Sequence, residues 1–191
     1  MGGIKRRERA MGKHLRLDQG FTLIEVMIVV VIVAILATLA APSFIDATLS
    51  SRLGTLANKF VASVHLARSE AIKRNSVVTV CVSTDGATCT TGGWDQGWIV
   101  MCPTTDEVFC DPAGTETIVF HREQAMPSGF KGIEASDLDS LDFQPTGVGA
   151  MAAALTVCRA TPSVGSQERV VTISATGRPT VSTPAITSSC S

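Results

Sequence analysis

From Phe21 to Ala41 the only polar residues are Thr22, Glu25 and Thr38. As an α-helix this stretch would be about 32 Å long at ~1.5 Å per residue, close to the hydrocarbon thickness of a bilayer. A helix apolar on every side needs lipid or other helices around it, so the run does not read as a surface helix of a globular domain. A basic segment precedes it. Residues 1–20 hold six Lys/Arg (Lys5, Arg6, Arg7, Arg9, Lys13 and Arg16) against two acids, whereas the rest of the chain holds ten against fifteen. The basic end is expected to stay cytoplasmic while the acidic remainder is delivered across the membrane. All six cysteines (Cys81, Cys89, Cys102, Cys110, Cys158 and Cys190) lie in that remainder, an even number in a compartment where disulfides persist.

Beyond Pro42 the pattern changes. Leu49, Leu53, Leu56, Phe60, Val64, Ala67 and Ala71 recur at intervals of three and four, which is one face of a helix. Arg52, Asn58, Lys59, His65, Arg68 and Lys73 take the opposite face. Glu70 and Arg74 form an i,i+4 pair, Lys73 and Arg74 suit the negative end of the helix dipole, and Asn75 suits a left-handed cap. The spacing predicts one helix over about 22–74, bent at Pro42, where proline removes a backbone hydrogen bond. After residue 75 come short β-prone runs punctuated by Gly, Pro, Ser and Asp: 76–82, 97–102, 115–123, 138–144, 154–160, 168–174 and 178–182. Residues 84–93 read as a loop. The fold class is α+β: a long N-terminal stalk helix followed by an antiparallel sheet or sandwich. Its parts are a leader over 1–20, a helix over 21–75 (21–41 transmembrane, 42–75 amphipathic) and a periplasmic β head over 76–191.

The junction ahead of the apolar run carries the first motif. A secretory signal is cut after its apolar stretch, here near Ala40 or Ala41, which would leave the amphipathic helix without an anchor. The chain instead places Gly20 between the basic leader and "FTLIE". This resembles the type IV prepilin signature over Gly20, Phe21, Thr22, Leu23, Ile24 and Glu25, then through the apolar helix to Pro42. The resemblance implies cleavage by a prepilin peptidase between Gly20 and Phe21, N-methylation of Phe21, and a part for Glu25 in subunit assembly. The physical logic of Glu25 agrees. A charge in the bilayer costs roughly 2.5–3.5 kcal/mol on insertion scales, so a retained one calls for a partner. Cleavage creates an amine on Phe21, and a neighbouring subunit's amine beside this carboxylate would neutralise both charges.

Three further stretches, "LARSEAIKRNSVVTVCVS" (66–83), "WDQGWIV" (94–100) and "VTISATGR" (172–178), are similar to the GspH/FimT family of minor pilins and minor pseudopilins. That similarity implies other pilin or pseudopilin subunits as partners. It also implies a single-pass inner-membrane protein that later joins a type IV pilus or a type II secretion pseudopilus, priming or capping it.

The remaining residues are read against chemistry they lack. There is no C-x-x-C, the cysteine intervals do not suit a zinc knuckle, and only His65 and His121 follow the leader. Disulfides are expected, in nearest-neighbour pairs 81–89, 102–110 and 158–190. "GVGAMA" (147–152) lacks the third glycine of a dinucleotide site, and no G-x-S-x-G occurs. No catalytic residue, cofactor or metal is therefore expected. Trp94 and Trp98 read as core or rim aromatics. Some FimT-like proteins bind DNA through a G-R-x-R stretch. Here "GRPT" (177–180) matches at Arg178 but has Thr180 where the second arginine would stand, with Arg159 and Arg169 as further candidates. The acidic balance of the body argues against a phosphate-binding surface. Loops 84–95 and 103–114, the latter with Asp106, Glu107 and Asp111, are expected to be the least constrained and to meet other minor subunits.

Overall fold

The computed structural model describes residues 20–103, 118–149, 151–160, 168–184 and 190; side chains 39–43 are not described. The expected leader lies outside these residues except for Gly20, as does most of loop 103–114. The chain divides into one unit up to Pro42 and another from Ser43 onward.

Helix α1 covers Leu23–Arg74. Pro42 lies within its bounds, and the bend expected there falls among the undescribed side chains. In the second unit every residue of the expected apolar face, from Leu49 to Ala71, is at most 8% exposed. Arg52, Asn58, Lys59, His65 and Lys73 are exposed and Arg68 is half-buried. The helix ends as its sequence suggests. Asn75 takes φ 53°, and the amides of Asn75 and Ser76 donate to the carbonyls of Ile72 (3.4 Å) and Ala71 (3.2 Å). This double bond pattern satisfies carbonyls that the last turn would leave open. Glu70 accepts from Arg74 Nε at 2.8 Å and Lys73 Nζ at 3.3 Å.

Among the described residues eight strands follow, all in antiparallel pairs: β1 (Val78–Val82), β2 (Trp98–Cys102), β3 (Ile118–Glu123), β4 (Phe130–Glu134), β5 (Ser140–Phe143), β6 (Ala153–Arg159), β7 (Arg169–Ile173) and β8 (Pro179–Ser182). They form two four-stranded sheets, ordered β3-β2-β1-β5 and β4-β6-β7-β8. Alternation along each strand assigns its faces. Val78, Val80, Val82, Trp98, Val100, Leu141 and Phe143 of the first sheet join Leu155, Val157, Val171 and Ile173 of the second in one core with the helix face. Cys81, Ile99 and Met101 form a separate cluster on the other face of the first sheet.

β4 escaped the sequence reading. Its segment FKGIE offers only two large apolar residues, because Gly132 and Glu134 occupy inward positions. A Cβ at Gly132 would meet Trp94 Cβ at 3.0 Å and Met126 Cε at 3.1 Å, so a side chain there would crowd Trp94 and Met126. Glu134, 5% exposed, is satisfied by the amides of Ser136 (2.6 Å), Leu138 (3.0 Å) and Ala154 (3.2 Å). The short 3₁₀ helix Trp94–Gln96 was also unforeseen.

Cys81–Cys89 and Cys158–Cys190 are bonded as expected. Cys102 is also in a disulfide; its expected partner Cys110 lies outside the described residues. The first bond overturns the expectation that residues 84–95 are loosely held. It ties the exposed Cys89 onto the outer face of the first sheet, where its sulfur lies 3.4 Å from Met101 Sδ. Asp85 organises the turn between, accepting from the amides of Ala87 (2.8 Å) and Thr88 (2.9 Å), the Thr88 hydroxyl (2.8 Å) and the Ser83 hydroxyl (3.0 Å). The Thr88 amide first, then that of Ala87, holds the Asp85 carboxyl well below the usual carboxylate range. Arg122 Nε donates to Gly86 O at 2.5 Å and fastens the loop to β3.

Candidate assembly site

The apolar start of α1 presents all its sides outward. Every large apolar residue from Leu23 to Leu36 is at least 51% exposed, including the consecutive run Val26, Met27, Ile28 and Val29. Four consecutive residues cover the whole circumference of a helix, so the exposure extends to every side of this stretch. Among the described residues, no helix is long and apolar enough to cross a membrane. The described side chains of the run stop at Thr38, short of the ~20 residues a span needs.

Thr22 has a local role that the sequence reading missed. The Thr22 hydroxyl accepts the Glu25 amide at 3.3 Å, and Thr22 O accepts the Val26 amide at 3.2 Å. Thr22 therefore caps the helix, with Glu25 at the third helical position, the arrangement written T-x-x-E. The signal was present in "TLIE". Phe21 stands ahead of the first turn rather than on a helical face with Glu25. Glu25 is exposed and forms no ion pair among the described residues.

In the head, Trp94 and Trp98 are core residues, at most 1% exposed. Both pack edge-on against Phe60, with centroids 5.1 and 5.5 Å away. Their indole N–H groups donate to Leu138 O (2.8 Å) and the Ser63 hydroxyl (2.9 Å), so neither ring offers a free binding platform. His121 and Lys59 both face Glu123, at 3.6 and 2.6 Å. Among the described residues no cluster of His, Cys, Asp and Glu is arranged to hold a metal.

The three candidate arginines do not form one patch. Arg169 pairs beside Val157 at the start of β7, and its guanidinium donates to the Ser50 hydroxyl at 2.7 Å. Arg159 lies near the same end of the sheet, 5.6 Å from the Phe130 ring centre. Arg178 is exposed at the turn beyond Ile173, at the opposite end of β7. That turn is built by Gly177, at φ 73°, and by the Ser174 hydroxyl, which accepts the Arg178 amide at 3.1 Å.

Comparison with known proteins adds two sequence matches. The family described as type II transport protein GspH matches residues 56–177, and the prokaryotic N-terminal methylation motif matches residues 15–41. No curated protein matches by sequence. Among solved structures, the type IV minor pilin FimU of Pseudomonas aeruginosa (strain PAO1) aligns with a TM-score of 0.52 at 18% identity, covering 69% of this chain and 89% of that one. Its second crystal form gives 0.50 at 19%, covering 68% and 92%. The minor pseudopilin EpsH from the Type 2 Secretion System of Vibrio cholerae gives 0.48 at 13%, covering 70% and 98%. At this identity the FimU likeness shows a shared pilin-like fold. The family match covers more than half of the chain, from the amphipathic helix to the β7–β8 turn, and the chain belongs to the GspH family of minor pilins and pseudopilins.

Proposed function

We propose that the chain is cleaved after Gly20 and N-methylated on Phe21, then enters a type IV pilus or type II secretion pseudopilus through its N-terminal helix, priming or capping it. The observation that carries this reading is the helix start. It is apolar and exposed on every side, with one unpaired carboxylate at Glu25, inside the segment that matches the methylation motif. Before assembly, lipid would cover that surface, with the head in the periplasm. In a filament, neighbouring helices would replace the lipid. Glu25 then gains the amine of an adjacent Phe21, so assembly removes an unsatisfied charge that the isolated subunit carries in the membrane.

The intact mass of the membrane-extracted protein tests processing. The expected species begins at Phe21 and carries one added methyl group; a mature chain beginning at Pro42 would overturn the reading. DNA binding is the weaker reading, because Arg178 stands apart from Arg159 and Arg169 on an acidic body.

A further inference from the structure

Between the helix and the segment joining β3 to β4 lies an open hollow of about 580 Å³. Its floor is Leu56, Trp98, Met126 and Phe130, all buried. Its rim carries Arg52 and Lys59 from the helix and one carboxylate, Glu123 of β3; Arg122 pairs with Ile99 and so lies on the other face of the sheet. Lys59 Nζ lies 2.6 Å from Glu123, which neutralises that acid. The Arg122 guanidinium is held by Gly86 O in the loop over that other face, away from the hollow. Arg52 is exposed and enters no ion pair among the described residues. The rim is thus net positive on a chain whose acids outnumber its Lys/Arg by fifteen to ten beyond residue 20. Gln124, Ala125 and Pro127 lie exposed along one wall.

We propose that this hollow docks an acidic segment of a neighbouring filament subunit. An apolar side chain of that segment would lie over Met126 and Phe130, with a carboxylate beside Arg52. An apolar centre with a charged rim is the usual anatomy of a specific protein contact, the rim setting register and the centre supplying buried area. A nucleic acid strand suits the hollow less well, since Glu123 stands on the rim and the Trp98 ring is wholly buried, leaving no face for a base to stack on. The proposal rests on the filament reading above and names the head surface that reading leaves open.

The test places a photo-cross-linking p-benzoylphenylalanine at Gln124 of the full chain in cells that assemble the filament, and identifies the adduct by mass spectrometry. The expected adduct is a peptide of another pilin-like subunit that carries Asp or Glu next to the cross-link. Arg52→Glu should lower its yield about tenfold, the effect of ~1.4 kcal/mol. Changing the partner's nearest acid to Arg should restore it. Arg178→Glu, at the far end of β7, should leave the yield unchanged. An adduct to lipid, to DNA or to a peptide without acids overturns the docking, as does a yield indifferent to Arg52→Glu. A chain that enters filaments without this adduct overturns the docking alone. A chain never found in filaments overturns the functional reading, and the docking with it.

Discussion

From Leu23 to Leu36 the helix leaves every large apolar side chain at least half exposed, whereas from Leu49 to Ala71 it hides one apolar stripe almost completely and turns its charges outward. Both stretches have the same backbone and hydrogen-bond ladder. The difference lies in how their apolar residues are spaced. A continuous run has no inside, so its hydrophobic energy is unrealised until something outside the chain covers it. A stripe at intervals of three and four has an inside, and Phe60 with its two tryptophans fills it. The first stretch therefore supports association, and the second supports the fold of the head.

Glu25→Val should break this comparison most severely if it is wrong. The variant should insert in the membrane as well as the wild type and keep a head of unchanged stability, yet be largely lost from sheared filaments or pseudopili. Glu25 also sits in the capping arrangement with Thr22, which makes Glu25→Gln the needed companion. Glutamine serves a capping box as glutamate does, without the charge. Loss of assembly in both variants supports charge pairing; assembly of the Gln form at wild-type levels would show that the charge of Glu25 is not needed.

Phe60→Ala should act in the opposite sense. Its ring, 1% exposed, holds Trp94 and Trp98 edge-on, and such truncations typically cost ~3–5 kcal/mol. Denaturation followed by tryptophan fluorescence should show that loss, while Gly20–Phe21 processing of membrane-inserted protein proceeds normally. Impaired cleavage would mean that the two stretches are not independent.

The paired replacement Cys81→Ser with Cys89→Ser comes next. Closing so short a loop is worth about 2.6 kcal/mol in the chain-entropy picture. The replacement also loosens the contact of residue 89 with Met101. A head beginning near residue 48 should accordingly be soluble and folded when oxidised and markedly weaker when reduced, and thiol titration of the native protein should find no free cysteine.

The same contrast explains what could be read ahead of the structure. The helix face was legible because Leu49 to Ala71 repeat with the helical period, and the cap at Asn75 because few residues other than glycine take that φ readily. Seven strands were legible from β-branched runs between turn residues. β4 was not, because its inward positions hold a glycine packed on Trp94 and a carboxylate whose amide partners come from the turn that follows and from β6. The tight hold on residues 84–95 was hidden for a similar reason: a Ser/Thr/Gly-rich loop looks slack until Asp85 and Arg122 are seen to gather it. The separation of Arg178 from Arg159 and Arg169 depends on strand register, which sequence proximity did not convey.

The smallest expected effect probes the end of the buried stripe. Glu70 is held below its ordinary pKa, chiefly by the hydrogen bond from Arg74 and also by Lys73, against a desolvation penalty that raises it. A carboxyl depressed in the folded state contributes stability that is complete above its unfolded pKa and disappears as pH falls through the folded value. Glu70→Gln should therefore destabilise the head at neutral pH and converge with the wild type in acid. Pairs at this spacing are worth ~0.3–0.5 kcal/mol, so the shift in denaturation midpoint should be small and should shrink further in high salt. A salt-insensitive loss that persists at low pH would locate the effect in packing around Arg74, which also stacks 4.5 Å from the Phe120 ring centre, rather than in the charge of Glu70.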